Sequence, residues 1–203
     1  MDVRTGFGCV VLSAGLSGIL SFSLLALAIA TEYWYSIEDK RPNFTDPQHV
    51  HSGLWGVKDD VQLFSGDPSR LSESERHMQA LHNVIAILLP LSLVLLVFGG
   101  ICGLASSLAH SRVLLIGAAS YFLLCSLLTL SGLSLYVSYS QHALEDAEKR
   151  IGVEQMAMVH TSFGWSMCLA WISFILEVIS GFLLLLAAWM AQLTQYQETV
   201  ASI

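Results

Sequence analysis

The chain has 203 residues, 54% of them apolar and only 12% charged, with a net charge of −7 and a positive mean hydropathy. That balance excludes an ordinary soluble domain or a disordered chain, and the outnumbered bases form no patch for nucleic acid. What remains is an integral membrane protein, one of whose partners is the lipid bilayer itself.

In chain order, residues 6–30 form the first apolar run, long enough for a helix that needs about 20 residues to cross roughly 30 Å of hydrocarbon. Small residues recur along it at helical spacing: Ala14 and Gly18, Ser17 and Ser21. Ala28-Ile29-Ala30 matches a signal-peptide cleavage pattern, but the run exceeds the 7–15 residues of an ordinary signal core, so a retained first span is expected.

A polar loop follows at residues 31–80, with nine acids against five bases. Tyr33-Trp34 opens it, where rings belong at the membrane–water boundary. Gly53-Leu54-Trp55 lies within it, and a tryptophan embedded in polar sequence suggests a folded module packed back onto the membrane surface. Asn43-Phe44-Thr45 is an N-glycosylation acceptor. Residues 50–64, with valines and aromatics, read as paired strands. His49 and His51 would share a strand face, yet with no further ligand at set spacing they read as surface histidines, so no metal or cofactor is expected. Ser72 followed by Glu75 fits a capping box that starts a helix ahead of the second span.

The second span covers residues 81–108, with Pro90 as an expected kink and Gly99, Gly100 and Gly103 permitting close backbone approach. The third covers 113–139, and helix formers continue through 141–150 until Gly152 offers a C-cap. A second polar loop, 140–162, holds four acids and two bases. The fourth span covers 163–189, leaving a tail of 190–203. Glu177 is the one formal charge inside the four spans. Insertion of an acid at a helix centre costs about 2.5–3.5 kcal/mol, so it should face protein rather than lipid. Ser166, Ala170, Ser173, Glu177 and Ser180 share its face. Ser17, Ser21, Ser126 and Thr129 are the candidate partners, for a structural acid or for contact with a partner's membrane helix.

Cys9, Cys102, Cys125 and Cys168 each fall in a different apolar run, which suits small buried residues better than disulfides or zinc. No nucleophile–base pair or phosphate loop appears, so no enzyme is expected. Four spans put both termini on one side. The sequon and the short 109–112 hinge place them in the cytoplasm, although Arg4 and Arg112 there are outnumbered by seven Lys and Arg in the loops. Long loops translocate largely regardless of charge.

Trp34 at the end of the first span, with Gly53-Leu54-Trp55 in the first loop of a four-span chain, resembles the claudin superfamily, which includes claudins, calcium-channel gamma subunits and peripheral myelin protein. Thr31-Glu32-Tyr33-Trp34, His51-Ser52-Gly53-Leu54-Trp55, Phe163-Gly164-Trp165-Ser166 and Glu177 look most like the gamma-subunit branch and the small claudin-like proteins bordering it. The resemblance covers nearly the whole chain. It implies one domain over 1–203: an all-α, four-helix transmembrane bundle with a small extracellular β-containing head. It further implies a plasma-membrane protein acting through contacts with other membrane proteins, a channel or receptor as an auxiliary subunit. The alternative is claudin-type self-association at cell junctions, as an adhesion or paracellular barrier protein. By the same resemblance, Lys58, Asp59 and Asp60 stand where claudins carry ion-selecting charges. The favoured reading of the three residues is a solvated turn. Lys58 also occupies the first of two expected loop-cysteine positions, so the family disulfide is absent. Ile203 suits a PDZ groove, although Ala201 replaces the usual Ser or Thr.

Overall fold

The computed structural model describes residues 3–39, 48–55, 73–109, 111–151 and 159–201. Asn43, Lys58, Asp59, Asp60, Ser72, Gly152 and Ile203 lie outside them. Helices α1 (Val3–Ala30), α2 (Glu73–Leu108), α3 (Arg112–Ile151) and α4 (Trp165–Ala201) dominate. Each holds a segment fit to cross a membrane by length and composition: Thr5–Ala30, Ala80–Leu108, Arg112–Glu145 and Trp165–Tyr196. Hydrocarbon offers no partner to a backbone N–H or C=O, so a spanning segment must pair its own, and a helix does so. Several hydroxyls do likewise, folding back on their own helix: Ser13 donates to the Cys9 carbonyl at 2.8 Å, Ser23 to Ile19 at 2.9 Å and Ser107 to Gly103 at 2.8 Å.

Strands β1 (Tyr35–Asp39), β2 (Gln48–Ser52) and β3 (Val159–Phe163) make one antiparallel sheet in the order β2-β1-β3. Tyr35 stands opposite Ser52 on one side and Phe163 on the other. Of the paired strands expected over 50–64, residues 50–52 belong to β2, which begins at Gln48 and ends before Gly53, and residues 56–64 lie outside the described residues. The strands are too short for alternation to mark them, and Tyr-Ser-Ile-Glu in β1 alternates over only four residues. Tyr-Ser-Ile-Glu-Asp and Val-His-Thr-Ser-Phe are five residues each and become strands because they pair with one another across the chain. Phe163 accordingly belongs to β3, and the last helix starts at Trp165. α2 runs unbroken through Pro90, and α3 extends well past its apolar part, to Ile151.

The chain divides into two compact units. The first comprises Met1–Ala26, Leu91–Leu130 and Trp171–Ile203; the second comprises Leu27–Pro90 and Ser131–Ala170. In the first unit Leu96, Leu115, Ala119, Phe122, Leu184 and Ala187 are buried together with Ser21, Ser126, Thr129, Ser173, Glu177 and Ser180. Such an interior of small and hydroxyl-bearing side chains fits a lipid setting, where close packing and interhelical hydrogen bonds hold helices together. Gly99 lies against the Tyr121 ring, which a Cβ would meet at 2.9 Å, so this glycine serves internal packing. In the second unit the core is Ala28, Ile29, Trp34, Leu54, Ile85, Leu89, Leu133, Tyr136, Met167 and Ala170. Of the cysteines, only Cys125 is buried; Cys9, Cys102 and Cys168 are exposed on the helix exteriors. The expectation of burial is corrected there. A thiol behaves as a small apolar group, and hydrocarbon accommodates it as readily as a core does.

Candidate functional site

Two constellations stand out, one in each unit. The first is built on the end of α1. A helix leaves its last four carbonyls without intrahelical partners, and here no glycine C-cap follows Ala30 to serve them. Instead Thr31 N–H donates to the Leu27 carbonyl at 3.1 Å, the Trp34 indole N–H donates to Ala28 at 2.7 Å, and the Trp55 indole N–H donates to Ile29 at 2.9 Å. Two tryptophans, one on each side of the β1–β2 hairpin, thereby cap the same helix. Their rings differ in setting. Trp34 is fully buried, with its centroid 4.9 Å from that of Tyr136, whereas Trp55 is 61% exposed. Trp34 therefore contributes packing and a hydrogen bond, and Trp55 chiefly the hydrogen bond.

The glycines explain how the chain reaches this arrangement. Gly53 is buried against Glu32, whose Cα a Cβ would meet at 2.7 Å. Only a glycine lets the two backbones cross there and set Leu54 and Trp55 onto the helix end. Leu54 is fully buried beside it. Gly164 plays the matching part from the other side: a Cβ there would collide with the Tyr33 carbonyl oxygen. Its N–H donates to the Trp34 carbonyl at 2.9 Å, and Ser166 N–H donates to Tyr33 at 3.3 Å. The Thr31 and Ser166 hydroxyls pair at 2.8 Å, and Tyr33 and Trp165 rings lie 5.7 Å apart. Thr31, Tyr136, Gly164 and Ser166 are thus members of the site, although the sequence marked only Trp34, Gly53, Leu54 and Trp55 for it. The signal for Gly164 was its place in Phe163-Gly164-Trp165-Ser166; nothing local marks Tyr136.

The second constellation is Glu177, fully buried in the first unit. Thr129 Oγ1 lies 3.1 and 3.0 Å from its two carboxyl oxygens, and Ser21 and Ser173 flank the same group. Ser21 and Ser173 bond reciprocally: Ser21 donates to the Ser173 carbonyl at 3.1 Å and Ser173 to the Ser21 carbonyl at 2.9 Å. Ser17 and Ser180 hydroxyls pair at 2.7 Å. Ser126 instead bonds back to Leu123 of its own helix at 2.8 Å. The arrangement joins α1 to α4 through serines and α3 to α4 through the acid. Chemically it can hold helices in register. Among the described residues no three of His, Cys, Asp and Glu converge to hold a metal ion.

Comparison with known proteins agrees with this architecture. Residues 19–186 match the family model described as "PMP-22/EMP/MP20/Claudin tight junction". The voltage-dependent calcium channel gamma-3 subunits of Rattus norvegicus and Homo sapiens are 26% identical over 197 residues, covering 86% of this chain and 59% of theirs. The human gamma-4 subunit is 24% identical over 205 residues, covering 89% of this chain and 61% of its own. The chain thus spans about three fifths of the length of these relatives. With a model covering most of the chain and four membrane-spanning helices beside a small sheet, the chain belongs to the PMP-22/EMP/MP20/Claudin family of non-enzymatic, multi-pass membrane proteins.

Proposed function

We propose that this protein is an auxiliary subunit of a larger plasma-membrane channel or receptor; its relatives are named as subunits of voltage-dependent calcium channels. Both termini lie in the cytoplasm and the sheet outside the cell. The observation that carries this reading is the way the sheet is held. With no cysteine in either polar loop, it is fixed to the α1 end by the Trp34 and Trp55 indoles and by Gly164. A small sheet without the covalent bridge loses about 2–5 kcal/mol of constraint. Such a sheet suits a one-to-one contact, in which the partner orders the surface it meets. It suits less well the many identical contacts of a continuous strand between cells.

The test is expression in cells that lack junctions, for freeze-fracture, and in an epithelial monolayer, for resistance, each alone and with a voltage-gated calcium-channel pore subunit. Alone, the protein should give no intramembrane strands by freeze-fracture and no ion-selective change in epithelial resistance. Together, the two should copurify, and channel gating should shift. The family description as tight junction favours an adhesion role instead, and abundant strands at cell contacts would establish that role in place of ours.

A further inference from the structure

The two capping tryptophans stand in each other's expected places. Trp34, at the mouth of the first span, is fully buried, whereas Trp55, from within the polar loop, leaves 61% of its surface uncovered. Its indole N–H is taken by the Ile29 carbonyl at 2.9 Å, and an indole has no second polar group. What Trp55 presents outward is therefore ring carbon alone. A tryptophan at a membrane boundary ordinarily keeps its N–H for water or headgroups and its ring for the acyl chains. Here the protein itself supplies the polar half of that arrangement. The depth suits the apolar half. The Tyr33 and Trp165 rings, both exposed and 5.7 Å apart, lie where α1 has ended and α4 begins, as an aromatic belt does. Ile29 is inside α1, four residues before Tyr33, so the indole N–H bonded to it is held on the membrane side of that pair. Leu27 and Ala30 are exposed in the same last turn, within the span Thr5–Ala30. The Trp55 ring thus continues a surface already given to lipid.

We propose that Trp55 is a lipid-contact residue, its ring lying against phospholipid acyl chains near their glycerol ends, in the leaflet on the sheet's side of the membrane. Ring carbon is costly to leave in water and favoured against hydrocarbon. The first polar loop is then held at two points, by the hydrogen bond to α1 and by the bilayer beside it. Lipid occupies this face of the loop, so a protein partner meets the sheet elsewhere.

The experiment is fluorescence quenching of the full chain in phosphatidylcholine nanodiscs that hold one copy each, comparing wild type with Trp55→Phe. Trp34, Trp165, Trp171 and Trp189 are common to both, so the difference in emission reports Trp55. Lipid brominated on its acyl chains near the glycerol end should quench that difference severalfold more than lipid brominated near the chain terminus. Aqueous iodide should leave it nearly unchanged. Trp55→Tyr serves as the second reference if Trp55→Phe does not fold, because a phenol emits far more weakly than an indole. Quenching by iodide equal to or above that by brominated lipid places the ring in water and overturns the proposal. Quenching by neither means that protein covers the ring, and overturns it as well. The measurement needs no channel, so its outcome is separate from that of the auxiliary-subunit reading.

Discussion

At Gly164 a single added methyl group decides whether two segments can meet, because its Cβ would occupy the place of the Tyr33 carbonyl oxygen. Gly164→Ala is expected to lower the yield of monodisperse protein severalfold, judged by size-exclusion chromatography in detergent. Gly100→Ala, at a position where a Cβ meets open space, is expected to leave the yield unchanged. Equal losses from the two variants would contradict this account. The tryptophans divide along the same lines. Trp34→Ala removes a fully buried ring and the donor to Ala28, a loss on the order of 3–5 kcal/mol by analogy with aromatic core truncations. Trp55→Phe keeps an exposed ring and removes only one hydrogen bond, worth about 1 kcal/mol. Thermal unfolding followed by fluorescence should therefore rank Trp34→Ala well below Trp55→Phe, with the latter close to wild type.

Among the elements, the Ser21–Ser173 pair joins α1 to α4 through bonds to main-chain carbonyls and through its two hydroxyl oxygens, 3.0 Å apart. A double-mutant cycle with Ser21→Ala and Ser173→Ala is expected to give a coupling of about 0.6 kcal/mol and no more than about 1.7, the range found for hydroxyl pairs between membrane helices. Additive effects would mean that each hydroxyl acts through the other residue's main-chain carbonyl alone, since that carbonyl survives the Ser→Ala change. The helices themselves were legible because spanning a membrane imposes a length and composition that no other element shares. The strands were not, for a physical reason. Tyr35–Asp39 and Val159–Phe163 owe their conformation to each other, and five residues are too few to carry a local signature of a partner so distant in sequence. The same holds for the Glu177 partners. The helical spacing of Ser173, Glu177 and Ser180 is visible in the sequence, but which of Ser126 and Thr129 faces the acid depends on the rotation of α3, which only packing fixes.

For the whole molecule, orientation is the property that composition leaves most open, since the count of Lys and Arg in the loops runs against the reading adopted here. Asn43 supplies the decisive handle. With the sheet outside the cell, peptide N-glycosidase should increase the protein's gel mobility, and Asn43→Gln should abolish that change. A C-terminal tag should be digested by protease only after the membrane is permeabilised. Protection of Asn43 from the glycosylation machinery, with a tag open to external protease, would reverse the arrangement. The tryptophan motif was legible at this scale as a family mark. Its work as a cap on the last carbonyls of α1 was not, because the sequence shows no distance between an indole and a carbonyl.

The strand order has a consequence for biosynthesis. β1 is central, yet its two neighbours emerge from the ribosome at very different times: β2 follows at once, and β3 arrives only when three of the four helices have already been made. Local pairings form early and distant ones must wait for the chain that supplies them. Until Val159–Phe163 appears, β1 presents one unpaired edge, and the crossing at Gly164 that docks it is missing. The nascent protein therefore passes through a period in which that edge of β1 is uncovered. A cysteine pair replacing Ser36 and Ser162, which stand opposite each other, should cross-link only after release of the full chain. A pair replacing Ser36 and His51 should cross-link while synthesis is still under way.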